Sequence, residues 1–332
     1  MAKPDLFICH TAYHVLIALV RALRAGGGQA AVLSAQVPGA ERLAEQLTAC
    51  GAFAEVRIVD ERRCPGIVPA GPLQHWQGRR MFERQCGWTL DAARYGTLYI
   101  CNDWSALGRY LQDCHAAYTL CEDTVGGTLD PDQHLLDEQR AAPDFAARKR
   151  GKGYLYWGDS PWCRVVESED AAKCGIFPPE KLVTFSKKAL LESLTPAEKA
   201  AVRGVFLTRP LPDDPAALAD ATLLLPRSFV ADGLMTQAEQ NAMFRAVAAK
   251  YADGPLYIKT HPRDETDYGA LFPDAVVLER TMPSEVLNFC LPGKFKRAVT
   301  VQSWVLRGFT AAEENIFIGL DEAKRMIPNE VG

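Results

Sequence analysis

The stretch LYIKTHPRDETDY, from Leu256 to Tyr268, opens as an apolar strand and then presents Lys259, His261 and Arg263 around Pro262. A chain that only had to turn would use Gly, Asn or Asp there. Three cationic or donor side chains at a strand end suit an anion held at the carboxyl edge of a parallel sheet. The competing reading is a strand end whose charges are simply solvated. A second polar group follows the first apolar run, in ICHTAYHV, with His10, Thr11, Tyr13 and His14. His10 and His14 are one helical turn apart, but no neighbouring carboxylate or Cys completes a metal-ligand set. Asp130-Pro131-Asp132 is the one formal Asp-x-Asp match, and it reads as a turn. No metal site is therefore expected.

A 332-residue chain corresponds to roughly two domains. With 48% apolar and 23% charged residues it can bury a large core without a metal or disulfide staple. A net charge of -4, with one short basic run at Arg148-Lys149-Arg150-Lys152, does not point to nucleic acid. None of the ten cysteines forms a C-x-x-C pair, and Cys9, Cys101 and Cys121 sit inside apolar strands. That usage fits a reducing compartment, hence a cytoplasmic protein. Met-Ala-Lys-Pro-Asp leads straight into a strand, so no signal peptide is expected. No apolar run is long enough to span a bilayer.

The elements that must position these groups alternate along the chain. Apolar runs at 5–9, 30–34, 55–60, 97–101 and 117–121 predict strands, with helices at 12–24, 41–50 and 105–114 between them. The pattern weakens from 130 to 194, where 182–185 reads as a strand. It resumes with strands at 222–225, 256–259, 276–278, 298–301 and 315–318, and helices at 236–251, 284–289 and 303–309. Such alternation means βαβ units and parallel sheets. Pro210, Pro212 and Pro215 with Asp213 and Asp214 suggest a linker. We therefore expect an α/β protein with a Rossmann-like domain over 1–205, a proline-rich linker over 206–220 and a second Rossmann-like domain over 221–332. Two such halves facing across a cleft describe the GT-B architecture. The first strand lacks a following G-x-G-x-x-G, and no G-x-x-x-x-G-K-[ST] occurs, so NAD and P-loop chemistry are disfavoured.

Four stretches resemble motifs of bacterial sialyltransferases, most closely the lipooligosaccharide sialyltransferases of glycosyltransferase family 52. ICHTAYHVLIAL is similar to that family's N-terminal strand–turn–helix. CEDTVGG resembles its paired-acid motif, IKTHPRD its His-Pro motif, and MPSEVLNF with VTVQSW its C-terminal Glu helix and Ser-containing strand end. Two features depart from the pattern. Thr124 follows the acids where Gly is usual, with Gly only at 126 and 127, and Gln302-Ser303 stands where two small hydroxyl residues are usual.

The resemblance implies an inverting transfer of sialic acid from CMP-sialic acid to a glycan such as a terminal galactoside of lipooligosaccharide or capsule. No metal cofactor is implied, because a monophosphate leaving group can be met by protein donors. His261 would donate to the phosphate, Lys259 and Arg263 would add charge, and Gln302 and Ser303 would contribute at a helix start. The acceptor hydroxyl must lose a proton, and the resemblance favours Asp123 or Glu122 as the base. Asp232, in the loop after strand 222–225, is a rival. Arg227 and Ser228 on that loop are placed at the donor carboxylate, and Glu285 at the ribose hydroxyls, with a helix-capping acid as its alternative. His10, Thr11, Tyr13 and His14 would line the acceptor or sugar side, or pack within the first helix. Trp104 and Trp157 are candidates for stacking on a sugar. A lipid-linked acceptor would bring the protein to the inner face of the cytoplasmic membrane. Related donors (CMP-Kdo or a UDP-sugar) and a non-catalytic binding protein are the alternatives.

Overall fold

A computed structural model describes residues 2–64, 73–123, 158, 160–174, 177–209, 211–212, 214–306 and 308–327. Thr124, Gly126, Gly127, Asp130, Asp132, the basic run 148–152, Trp157, Pro210 and Asp213 lie outside them. The chain divides into two compact units, Met1–Ser193 and Leu194–Gly332.

The first unit is built on one parallel sheet in the order β3-β2-β1-β4-β5-β6-β7. Its strands are β1 (Leu6–Cys9), β2 (Gln29–Ser34), β3 (Phe53–Val59), β4 (Leu98–Ile100), β5 (Tyr118–Cys121), β6 (Cys163–Ser168) and β7 (Leu182–Thr184). β1, β2 and β5 are buried along their whole length, as sheets covered on both faces require. The order reverses between β1 and β4, so the loops leaving those two strands flank the crevice where α/β sheets bind ligands. Helix Ala12–Arg24 starts there because Thr11 caps it, its hydroxyl accepting the His14 N–H at 3.2 Å. Arg21 and Arg24 in its last turn suit the negative helix end. Gly27, at φ +82, then turns the chain where a Cβ would meet the Gly51 carbonyl at 2.6 Å.

Arg21 lies inside this unit and not on its surface. Its guanidinium bonds both Glu167 oxygens, at 3.1 and 2.5 Å, and stacks 3.8 Å from the Phe185 ring centroid. Both partners are only about a tenth exposed. Removing one member would strand the other charge in the interior. Glu167→Ala is therefore expected to lower stability by about 3–5 kcal/mol, read as a shift in the urea unfolding midpoint. An unchanged midpoint would mean that water reaches Arg21.

The second unit carries a parallel sheet in the order β10-β9-β8-β11-β12. The strands are β8 (Thr222–Leu225), β9 (Leu256–Lys259), β10 (Val276–Leu278), β11 (Phe295–Val301) and β12 (Ala312–Ile318). Its order reverses between β8 and β11, which places the loops after those strands at the corresponding crevice. Helix Gln237–Tyr251 begins with a capping box, Thr236 and Glu239 exchanging bonds.

Three expectations differ from this structure. The units part at Ser193/Leu194, upstream of the proline-rich stretch. Helix Pro196–Phe206 belongs to the second unit because Arg203 donates to the Cys290 carbonyl at 2.8 Å. The stretch that follows is also laid on that unit, with the Thr208 and Arg209 N–H groups on the Glu279 carboxylate. β6, CRVVES, was not expected, since its mix of charged and apolar residues shows neither a continuous apolar run nor strict alternation. The helix expected over 303–309 is a 3-10 turn over Trp304–Leu306, cut short by left-handed Gly308.

Candidate active site

In the first unit the loop after β1 meets the loop after β5. His14 Nε2 is hydrogen-bonded to Asp123 Oδ1. The other ring nitrogen, Nδ1, accepts the His10 backbone N–H at 3.2 Å. That backbone bond needs a lone pair on Nδ1, so the ring proton sits on Nε2 and faces Asp123. Burial works against charge on His14, but Cys101 and Asp123 outweigh it and raise its pKa to about 9. A second ring proton would have to face the His10 N–H, so that geometry holds the ring neutral with its one proton on Nε2, against the upward push of Cys101 and Asp123. Asp123 then remains a carboxylate, held below its usual pKa first by the His14 bond. Its side chain is 55% exposed, which leaves the outer oxygen open to solvent.

The neighbouring acid behaves differently. Glu122 is 3% exposed and accepts from the Ser168 hydroxyl at 2.9 Å and the Glu169 N–H at 2.8 Å. Both of its oxygens are used to tie β5 to the end of β6. Adjacent residues leaving a strand point opposite ways, so one acid faces the protein and the other the crevice. His10 packs inside as well, its Nε2 3.4 Å from Glu61. Glu61 also accepts the Leu107 N–H at 3.1 Å. Burial opposes its charge, but the bonds from His10, Leu107 and Ser34 keep its pKa low. Thr11 is the helix cap. Trp104, after β4, is 57% exposed at the same sheet edge.

In the second unit, His261 follows β9. Its Nδ1 accepts the Arg263 N–H at 3.2 Å, which fixes the neutral ring with its proton on Nε2. Burial, then Arg263 and Lys259, lower its pKa. A neutral ring presenting Nε2–H is a hydrogen-bond donor suited to an anion. Asp232 is clamped by two arginines, Arg227 at 2.8 Å and Arg263 at 3.2 Å, and its pKa is lowered first by the Arg227 bond. Both of its oxygens are occupied, which makes it a brace between the β8 and β9 loops and a poor proton acceptor. Arg227 also donates to the Gln302 carbonyl at 3.1 Å. Gln302 sits at φ 44, a left-handed backbone uncommon outside glycine, where the loop leaves β11. Ser303 accepts the Val305 N–H at 3.3 Å, a local turn in place of the expected helix start.

The structure therefore gathers Arg227, Asp232, His261, Arg263, Gln302 and Ser303 at adjacent strand ends. It does not bring Lys259 or Ser228 to the surface of that group. Lys259 is 6% exposed and donates to the Thr260 carbonyl at 2.7 Å. Burial lowers its pKa to about 8, against Glu285 and Glu279. Ser228, 2% exposed, accepts the Ala231 N–H at 3.3 Å. Glu285 lies near Lys259, and burial raises its pKa. Sequence reading also missed Asp264, 1% exposed, which accepts from Thr266, Tyr268 and Gln240. Gln240 in turn accepts the Phe229 and Val230 N–H groups, so one buried network fixes both loops. The polar run after Pro262 was the available signal. Among the described residues, no three His, Cys, Asp or Glu side chains converge as metal ligands.

Residues 187–307 match the model of glycosyltransferase family 52. An uncharacterized protein of Haemophilus influenzae is 35% identical over 86 residues, 26% of this chain and 28% of that protein's length. The structure resembles an α/β-galactoside α-2,3-sialyltransferase from Photobacterium phosphoreum, with TM-score 0.52 and 11% identity over 99% of this chain and 97% of that one. It also resembles the GT-B domain of a sialyltransferase from Photobacterium damselae, with TM-score 0.52 and 12% identity over 94% and 89%. At such identities the likeness is one of fold, and the fold is GT-B. No helix among the described residues is long and apolar enough to cross a membrane.

Proposed function

We propose that the protein is an inverting glycosyltransferase that moves sialic acid from CMP-sialic acid to a glycan acceptor, a galactoside of lipooligosaccharide or capsule being the expected kind. The observation that carries this reading is His261, a neutral imidazole locked with Nε2–H outward, beside Arg263, in the segment that matches family 52. As the glycosidic bond breaks, negative charge grows on the departing phosphate, and a preorganised donor there stabilises the transition state more than the ground state. Asp123 is the base for the acceptor hydroxyl, its outer oxygen receiving the proton while His14 holds the inner one. Gln302 and Ser303 border the phosphate, and Glu285 takes the ribose.

The donor class is tested by thermal shift with CMP, CDP, UDP, GDP and NAD. Preferential stabilisation by CMP supports the reading, since a ligand that binds only the folded state raises its melting temperature. A UDP preference would move the donor to a UDP-sugar. Because protein groups meet the phosphate, turnover is expected to survive dialysis against EDTA. Activity lost to EDTA and restored by Mg²⁺ or Mn²⁺ would overturn that part and direct attention to Asp130 and Asp132.

A further inference from the structure

Lys187 opens helix Lys187–Glu192, yet its side chain is 1% exposed and its Nζ has no hydrogen-bond partner among the described residues. An ammonium in that state is costly, and an apolar residue of similar shape is often tolerated as well or better. Its position is imposed from the backbone. Glu169 accepts the Lys187 N–H at 3.0 Å and the Ser186 hydroxyl, which orders the first turn. The amine lies 5.7 Å from the Tyr13 ring centroid, and Lys187 lines a small cavity of about 20 Å³ with Tyr13, His14 and Cys101. That is room for about one water.

We propose that Lys187 is a positioning residue for Asp123, a buried ammonium on the inner side of the Tyr13–His14 turn whose fixed charge keeps the Asp123 carboxylate ionised and seated on His14. The proposal rests on Asp123 being the base. His14 is the strongest influence holding Asp123 in its charged form, and Lys187 adds to it, with His10 weaker. The same ammonium acts on Cys101, which also bonds His14 and Cys121. Around this cluster, helix Ala12–Arg24 contributes Tyr13, His14 and Arg21, and β1 contributes Cys9. β4 supplies Tyr99, with Cys101 just after it, and Glu122, Glu167 and Glu169 lie toward β5 and β6. Arg21 is already neutralised by Glu167, and Glu122 is fully bonded, so among the described residues Lys187 is the cation that acts on Asp123 beside the Nε2–H of His14.

The test compares Lys187→Met, Lys187→Gln and Lys187→Arg in the full chain. The first readout is the carboxyl ¹³C titration of Asp123, assigned with Asp123→Asn, in protein without substrate. The second is the pH profile of sialyl transfer from CMP-sialic acid to lactose. In both neutral variants the Asp123 midpoint should move up. On the acid limb transfer should fall about tenfold, as a limb moved by about one pH unit requires, and recover to within about twofold on the plateau. Lys187→Arg should follow wild type. Two neutral variants guard against one failing to fold. An Asp123 midpoint that stays put in a folded neutral variant overturns the proposal. If the wild type transfers nothing, the base reading fails instead, and the carboxyl titration still reports whether the charge acts.

Discussion

Asp123→Asn is expected to cut sialyl transfer by about 10² to 10⁴, the usual worth of a general base, with CMP affinity little changed. The substitution keeps volume and one acceptor oxygen toward His14, so the loop should hold while the proton acceptor is lost. The acid limb of the wild-type pH profile follows from the sign of the Asp123 shift. A lowered carboxylate pKa keeps the base ionised below the range of an ordinary Asp, so transfer should decline only at unusually acid pH. That limb should vanish in Asp123→Asn. Glu122→Gln should act mainly on folding, since both Glu122 oxygens bind Ser168 and Glu169. Asp232→Asn should weaken the hold on Arg227 and Arg263, and with it nucleotide binding, without removing the pH limb. An inactive Asp232→Asn beside an active Asp123→Asn would move the base to the second unit.

The second large effect is at His261. His261→Ala should lower the rate by about 10² to 10³, the loss expected when one donor to a developing oxyanion is removed. Ground-state CMP binding should suffer less, because the charge that His261 meets is greatest in the transition state. The lowered pKa gives the sign of the pH dependence. At neutral pH the ring is uncharged and acts through Nε2–H, so activity should not rise as pH falls from 8 to 7. An unchanged rate in His261→Ala would place the leaving group elsewhere.

Much of this was legible in the chain. The apolar runs at β1, β2, β8 and β9 are four to six residues long, too short for a typical helix, and they are largely buried, as strands of a sheet covered on both faces are. The loops that carry Asp123 and His261 follow from those strands. What could not be read is the direction of each side chain. Glu122 and Asp123 are neighbours in sequence, and only the end of β6, 46 residues on, decides that Glu122 is the inward one. His14 and Asp123 are 109 residues apart, so a turn that resembled a sugar contact is the partner of the acid. Lys259 looked like part of the cationic edge, but strand alternation turns it inside. Arg21, a lone charge in the apolar pattern of the first helix, is the largely buried partner of Glu167, 146 residues on.

The central claim is that a CMP-activated sialic acid is the donor. The most direct measurement is mass analysis of the products after incubating the full chain with CMP-sialic acid and lactose, beside parallel reactions with CMP-Kdo and UDP-galactose. The account predicts free CMP together with lactose one sialyl residue heavier, formed from the first donor. CMP-sialic acid left intact while another nucleotide sugar is consumed would contradict it.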